Sequence, residues 1–358
     1  MQARGRGGAP PPIGIALEGD FGHRIDAVLA IAMLNGLAAK GEARTIAMCV
    51  SRTSVKAAQL TDVLVGFYSP RPTDGSSMVG MPESGRPDDA PPIAAMLAQT
   101  TPEGTPQYTS NISRVMDTAD NAVLIRNMIL AQQDRNASLV LAGPATGFVR
   151  LMSLYGARPQ IETKVARLVV AIGAYPSGAY PSGAADPAVK ADIAAARALF
   201  AEWPTPLIAV GSEVGEALAY PAASIETGLA WSPIHPVAAA YRAFRPMPYD
   251  APTAALAATL HAVHPGADYF TLSEPGTITV LDDGRTQFKA VADGRHRYLK
   301  IDPARKAAVL QLFTDLVSAQ PAPRPGRGGR RGAPPQQQQQ KPPLAPPEAP
   351  PAAKPPTP

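Results

Sequence analysis

Cysteine is almost absent from this 358-residue chain, with Cys49 the only one, so no internal disulfide can form. Its place in the strand-like stretch of residues 43–50 points to a buried strand residue rather than a nucleophile. Long hydrophobic runs are also missing: no stretch of about 18 or more apolar residues exists, which argues against a membrane span. Residues 1–12 lack the apolar segment of a signal peptide. As written, the chain is expected to be cytoplasmic; a true start farther upstream would make it an exported protein. The five histidines show no zinc-ligand spacing. No G-x-G-x-x-G fingerprint follows a strand pattern, and Ser212 in Gly211-Ser212-Glu213-Val214-Gly215 stands one place too early for a nucleophile elbow.

Proline is abundant and unevenly placed. Residues 319–358 hold 14 of the 41 prolines, the glutamine run 336–340 and a single acid, Glu348. Such a segment buries too little apolar surface to offset its ordering entropy, and a disordered Pro/Gln-rich basic tail is expected, with a disordered segment over residues 1–12. Six cations fall in the tail, and Arg4 and Arg6 stand at the front. The net charge of +4 therefore leaves residues 13–318 at −3. Net charge gives the body no support for specific nucleic-acid binding; only the RGG-like residues 324–332 suit a nonspecific anionic polymer.

Between the ends, strand and helix patterns alternate, which predicts one α/β domain over residues 13–318. It should be three-layered, with a mainly parallel open sheet and helices on both faces. Strands are predicted over residues 13–17, 45–50, 138–142, 167–172 and 207–210. Helices are predicted over residues 25–39, 55–67, 121–133, 188–202, 252–263 and 303–319. Residues 277–281 and 286–291 flank Asp282-Asp283-Gly284-Arg285, the composition of a β-hairpin turn. Residues 69–118, rich in Pro, Gly, Ser and Thr, read either as a flap over a site or as a disordered insertion.

The first strand ends in Glu18-Gly19-Asp20-Phe21-Gly22-His23-Arg24-Ile25-Asp26, which puts several charged groups in one tight turn before a helix. Open α/β sheets place ligand sites at such strand ends. With Ala27-Val28-Leu29-Ala30, this segment resembles the opening of the inosine-uridine preferring nucleoside hydrolases, whose turn in one branch runs Asp-Thr-Asp-Met-Gly-Asn-Asp-Val-Asp-Asp-Ala-Leu-Ala. Further similarities follow in order: Leu141-Ala142-Gly143-Pro144-Ala145-Thr146, Lys164-Val165-Ala166-Arg167-Leu168-Val169-Val170, Trp203-Pro204-Thr205-Pro206 with Gly211-Ser212-Glu213-Val214-Gly215, His235-Pro236-Val237, and Tyr249-Asp250. The resemblance spans about residues 13–301.

The resemblance implies hydrolysis of an N-glycosidic bond by a water activated on a calcium ion, the hard cation that takes oxygen ligands. By position, Asp20 would be the base and a metal ligand. Asp26 would bind metal or ribose, Thr146 would lie in the loop that supplies a carbonyl, and Glu18 and Asp250 would complete the ligand set. Tyr175 and Tyr180, from the duplicated Ala-Tyr-Pro-Ser-Gly at residues 174–183, are candidates for holding a sugar or an aromatic ring. The implied partner is a small nucleoside or glycoside, with a homo-oligomer left open. Retention of Asp20, Asp26 and Asp250 favours the hydrolase, and departures from the family supply the weight for an alternative, a catalytically inactive relative that binds a ligand or partner. Glu18, Arg24 and Ala27 stand where that branch carries aspartates, and no Glu or Asn replaces the family's ribose-binding segment. Tyr249 takes the place of a histidine, for which His23, His235 and His264 are candidate substitutes.

Overall fold

The computed structural model describes residues 11–69, 79–85 and 87–321. The readings for residues 1–10 and for the tail beyond residue 321 lie outside these.

Eleven strands make up the described sheet: β1 (Ile13–Gly19), β2 (Ala43–Val50), β3 (Val79–Met81), β4 (Ala119–Asp120), β5 (Ala137–Ala142), β6 (Val165–Val170), β7 (Leu207–Ala209), β8 (Thr271–Leu272), β9 (Gly276–Val280), β10 (Thr286–Ala290) and β11 (His296–Lys300). Their order is β10-β9-β11-β7-β6-β5-β1-β2-β3-β4, with β8 paired to β11. From β4 across to β7 and on to β11 every pairing is parallel, whereas β10 and β9 form the predicted antiparallel hairpin. β1 lies near the middle, between β2 and β5. Every residue of β5 is buried, as expected for a parallel strand covered on both faces.

Thirteen described helices surround the sheet: α1 (Ile25–Ala39), α2 (Val55–Tyr68), α3 (Pro91–Leu97), α4 (Asn121–Leu130), α5 (Thr146–Ser153), α6 (Ala157–Lys164), α7 (Pro187–Ala191), α8 (Ile193–Glu202), α9 (Ser212–Ala217), α10 (Ala222–Gly228), α11 (Pro236–Phe244), α12 (Ala254–Val263) and α13 (Lys306–Val317). Alternation along β1 sends Ile15 and Leu17 into the core under α1, α2, α11, α12 and α13, and Ala16 into the core under α4, α5, α6 and α8. Helix α1 is apolar nearly all round and lies between the sheet and outer helices, packing on α11, α12 and α13. Cys49 is fully buried in β2, as its sequence context predicts.

Three sequence expectations are corrected. The helix expected over residues 188–202 is divided at Asp192, whose carboxylate caps α8 by accepting from the Ala195 amide at 2.9 Å. The one expected over residues 303–319 opens as a 3-10 turn, Pro303–Arg305, capped by Asp302. Residues 69–118 are not a wholly irregular insertion: their described part supplies β3 to the parallel sheet and α3, which packs on α11. Among the described residues, no helix is long and apolar enough to cross a membrane.

Candidate functional site

The carboxyl ends of β1, β2, β6 and β7 open into a cavity of about 410 Å³, lined among others by Asp20, His23, Arg24, Asp26, Arg52, Tyr180, Asp186, Arg245, Tyr249 and Asp250. Strand β1 delivers Asp20 there because the chain turns at once: the Asp20 carbonyl accepts the His23 and Arg24 amides at 2.9 and 2.8 Å, and α1 starts at Ile25.

Arg24 dominates this turn. Its Nε and Nη2 donate to the two oxygens of Asp26 at 3.1 and 2.7 Å, and its Nη1 donates to the Ala171 carbonyl at the end of β6 at 2.6 Å. Asp26 Oδ2 also accepts the Ala255 amide in the first turn of α12 at 3.0 Å. The fork thus ties the start of α1 to β6 and α12. Burial opposes the charge on Arg24, but Asp26 beside it, then Asp186 and Tyr180, more than offset this and raise its pKa.

A second arginine holds the other acid. Arg52 Nε donates to Asp20 Oδ2 at 2.8 Å and lies 3.9 Å from Asp88, which in turn meets His23 Nε2 at 2.6 Å. Burial works against ionisation of Asp88, yet the Ala90 amide and His23 keep its pKa below the usual carboxylate value. Also on the cavity wall, Asp186 accepts the Tyr180 hydroxyl at 2.9 Å and the Gly173 amide at 3.0 Å, and caps α7 through the Ala188 amide at 2.7 Å. Burial, then Asp186, raises the Tyr180 pKa.

The predicted site residues do not all converge. Asp20, Asp26, Tyr180 and Asp250 line the cavity. Glu18 shares the Ala16 face of β1, away from it: the side chain is fully buried, Oε2 accepts from Asn121 at 3.2 Å, and Oε1 has no partner among the described residues. Burial drives its pKa well up. Tyr175 is core as well, 1% exposed, bonded to the Ile172 carbonyl at 3.2 Å and stacked on Tyr298. Thr146 opens α5, lines a different depression and donates to Asp192 at 2.7 Å. Asp250 accepts the Ala222 amide at the start of α10 at 2.9 Å. Of the candidate histidines only His23 reaches the cavity: His235 packs among Phe67, Tyr68 and Trp231, and His264 pairs with Glu42. Arg52 and Asp186 were not singled out from the sequence. Asp186 directly before Pro187 is a helix-start signal that marks the cap but not the cavity.

At the level of sequence, no family model and no curated protein matches the chain. At the level of structure, a plant nucleoside hydrolase is similar over 86% of this chain and 100% of its own, with a TM-score of 0.65 and 18% identity. The fold is nucleoside hydrolase-like. The inosine-uridine preferring nucleoside hydrolase of Bacillus anthracis covers 86% of this chain and 99% of its own, with a TM-score of 0.62 and 15% identity. The type III effector protein XopQ, complexed with adenosine diphosphate ribose, covers 87% and 94%, with a TM-score of 0.58 and 16% identity.

The calcium ion that the resemblance implies does not fit the donors present. Both Asp26 oxygens are taken by Arg24, one of them also by a backbone amide, and Asp20 is paired with Arg52. Asp250 serves a helix start, while Glu18 and Thr146 lie elsewhere. Among the described residues, no group of three or more His, Cys, Asp or Glu side chains is arranged to hold a metal ion. Two guanidinium groups already neutralise the central carboxylates, and a divalent cation beside them would meet like charge.

Proposed function

We infer that the chain binds a nucleoside or related ribosyl compound in the strand-end cavity and does not hydrolyse it through a metal-activated water. The observation that carries this is the Arg24–Asp26 fork with the Ala255 amide, which commits both oxygens of the carboxylate that calcium would need. The fold supports the ligand class, since similar structures include nucleoside hydrolases and one protein holding adenosine diphosphate ribose. The cavity adds carboxylate acceptors for sugar hydroxyls and guanidinium donors for ring or hydroxyl oxygens.

The second reading is hydrolysis of an N-glycosidic bond with Asp20 as base. One observation favours it: Asp20 lines the cavity, and its Oδ1 accepts no hydrogen bond among the described residues. Calorimetric titration with ribonucleosides, with and without calcium, together with a reducing-sugar assay, separates the two. Nucleoside binding that ignores calcium and releases no ribose is expected. Calcium-dependent release of ribose would overturn the binding-only reading.

A further inference from the structure

The duplicated Ala-Tyr-Pro-Ser-Gly of residues 174–183 lies between β6 and α7, and its two copies are held differently. The first is clamped from two sides. Thr286, the first residue of β10, uses one hydroxyl to accept the Ala174 amide at 3.3 Å and donate to the Ala174 carbonyl at 3.1 Å. Its own amide donates to the Gly178 carbonyl at 3.1 Å. From α9, Glu213 accepts the Tyr175 amide at 3.0 Å. Gly178 closes the turn by donating to the Ala174 carbonyl at 3.1 Å, with a φ of +82°, and a Cβ on it would come within 2.3 Å of the Thr286 carbonyl oxygen. Only glycine fits that approach.

The second copy has no such clamp. Among the described residues, the hydrogen bonds of residues 179–184 all stay within residues 177–186. Gly183 repeats the positive φ, at +79°, but a Cβ there would meet nothing within 4 Å. Yet this copy is the one that brings a side chain to the cavity: Tyr180 lines it and donates to Asp186, whose Oδ2 also accepts the Gly173 amide at the foot of the loop. A binding group grips well only when residues behind it lock its position, and for Tyr180 that lock is the anchored first copy. Thr286 is 2% exposed and stands outside the cavity wall.

We propose that Thr286 is a positioning residue for the ribosyl ligand: by fixing the first copy on β10 it holds Tyr180 against Asp186 on the cavity wall. The repeat is thereby divided into an anchoring copy and a presenting copy, and the late hairpin, which does not touch the ligand, sets part of its affinity. This deepens the ribosyl-binding reading and rests on it.

The test is calorimetric titration of the full chain with adenosine, uridine and ribose, beside hydrogen exchange of the peptide spanning residues 174–186. Thr286→Val keeps nearly the same side-chain shape without the hydroxyl; it should weaken binding about fivefold and speed exchange across that peptide. Thr286→Ser keeps the hydroxyl and should restore both. Gly178→Ala, which drives a Cβ into the Thr286 carbonyl, should act like Thr286→Val, whereas Gly183→Ala, the same substitution in the unclamped copy, should change affinity far less. Natural affinity in Thr286→Val, or equal losses in Thr286→Val and Thr286→Ser, would overturn the positioning role and spare the ribosyl reading. Failure of the natural chain to bind any of the three ligands would overturn both.

Discussion

Arg24 and Asp26, two residues apart, meet through a two-bonded fork at 3.1 and 2.7 Å, and the carboxylate is completed by an amide 229 residues away, that of Ala255. The guanidinium therefore provides from within the chain the positive charge that the family's implied chemistry draws from a metal.

If the fork is structural as well as electrostatic, Arg24→Ala leaves a buried, unpaired carboxylate. Loss of one partner of a buried pair costs about 3–5 kcal/mol. Adding Asp26→Asn removes the stranded charge and should recover part of that loss. A denaturant-unfolding double-mutant cycle measures it, and independent, additive effects of the two substitutions would contradict the pairing.

Calcium should leave the melting temperature of the natural chain unchanged, whereas an Arg24→Asp, Ala27→Asp variant should gain calcium-dependent stabilisation, because carboxylate number and charge set calcium affinity. Tight calcium binding by the natural chain would show that Asp20 and Asp250 are recruited despite Arg52, and the metal-free account would fall.

Glu213 gives a pH dependence with a definite sign. Burial raises its pKa from 4.5 to about 7, against the Tyr175 amide that bonds its carboxylate at 3.0 Å. The folded state binds the proton more tightly, so its contribution is complete below pH 4.5 and is lost as pH rises toward 7. The loss amounts to about 3 kcal/mol as an upper figure. Buried His235, His261 and His296, each lowered to about 4, act oppositely and lose stability as pH falls from 6.5. The readout is therefore the stability difference between the natural chain and Glu213→Gln, which should shift against the natural chain between pH 4.5 and 7. A flat difference would refute the assignment.

The two tyrosines of the repeat should separate by phenotype. Tyr175→Phe removes a hydrogen bond inside the core and should cost about 1 kcal/mol of stability with unchanged ligand affinity. Tyr180→Phe frees Asp186 at the cavity and should alter ribosyl-ligand affinity severalfold with little change in melting temperature. The reverse pattern would mean that the cavity is not the binding site.

One cooperative unit over residues 13–318 remains the domain proposal. Limited proteolysis of the full chain should yield a single resistant core of that size with one melting transition. Two fragments that separate under native conditions would refute it.

The layered architecture was legible in the residue pattern alone. Its apolar periods placed β1, α1 and the parallel strands β2, β5, β6 and β7 to within a few residues, and the Asp-Asp-Gly turn specified the β9–β10 hairpin, because these signals act between near neighbours; the short parallel strands β3 and β4 and the late strand β11 carry no such signal. It also marked Asp20, Arg24 and Asp26 as the turn where a site belongs. What each of those groups does was decided by partners far along the chain: Arg52 for Asp20, the Ala171 carbonyl and Ala255 amide for the Arg24–Asp26 pair, and the sheet face for Glu18. Identical Ala-Tyr-Pro-Ser-Gly copies carry no local difference. Yet Tyr175 is stacked in the core on Tyr298 while Tyr180 reaches Asp186 at the cavity. Propensity and period are set within a few residues, whereas the pairing of charges depends on which strand ends the fold brings together.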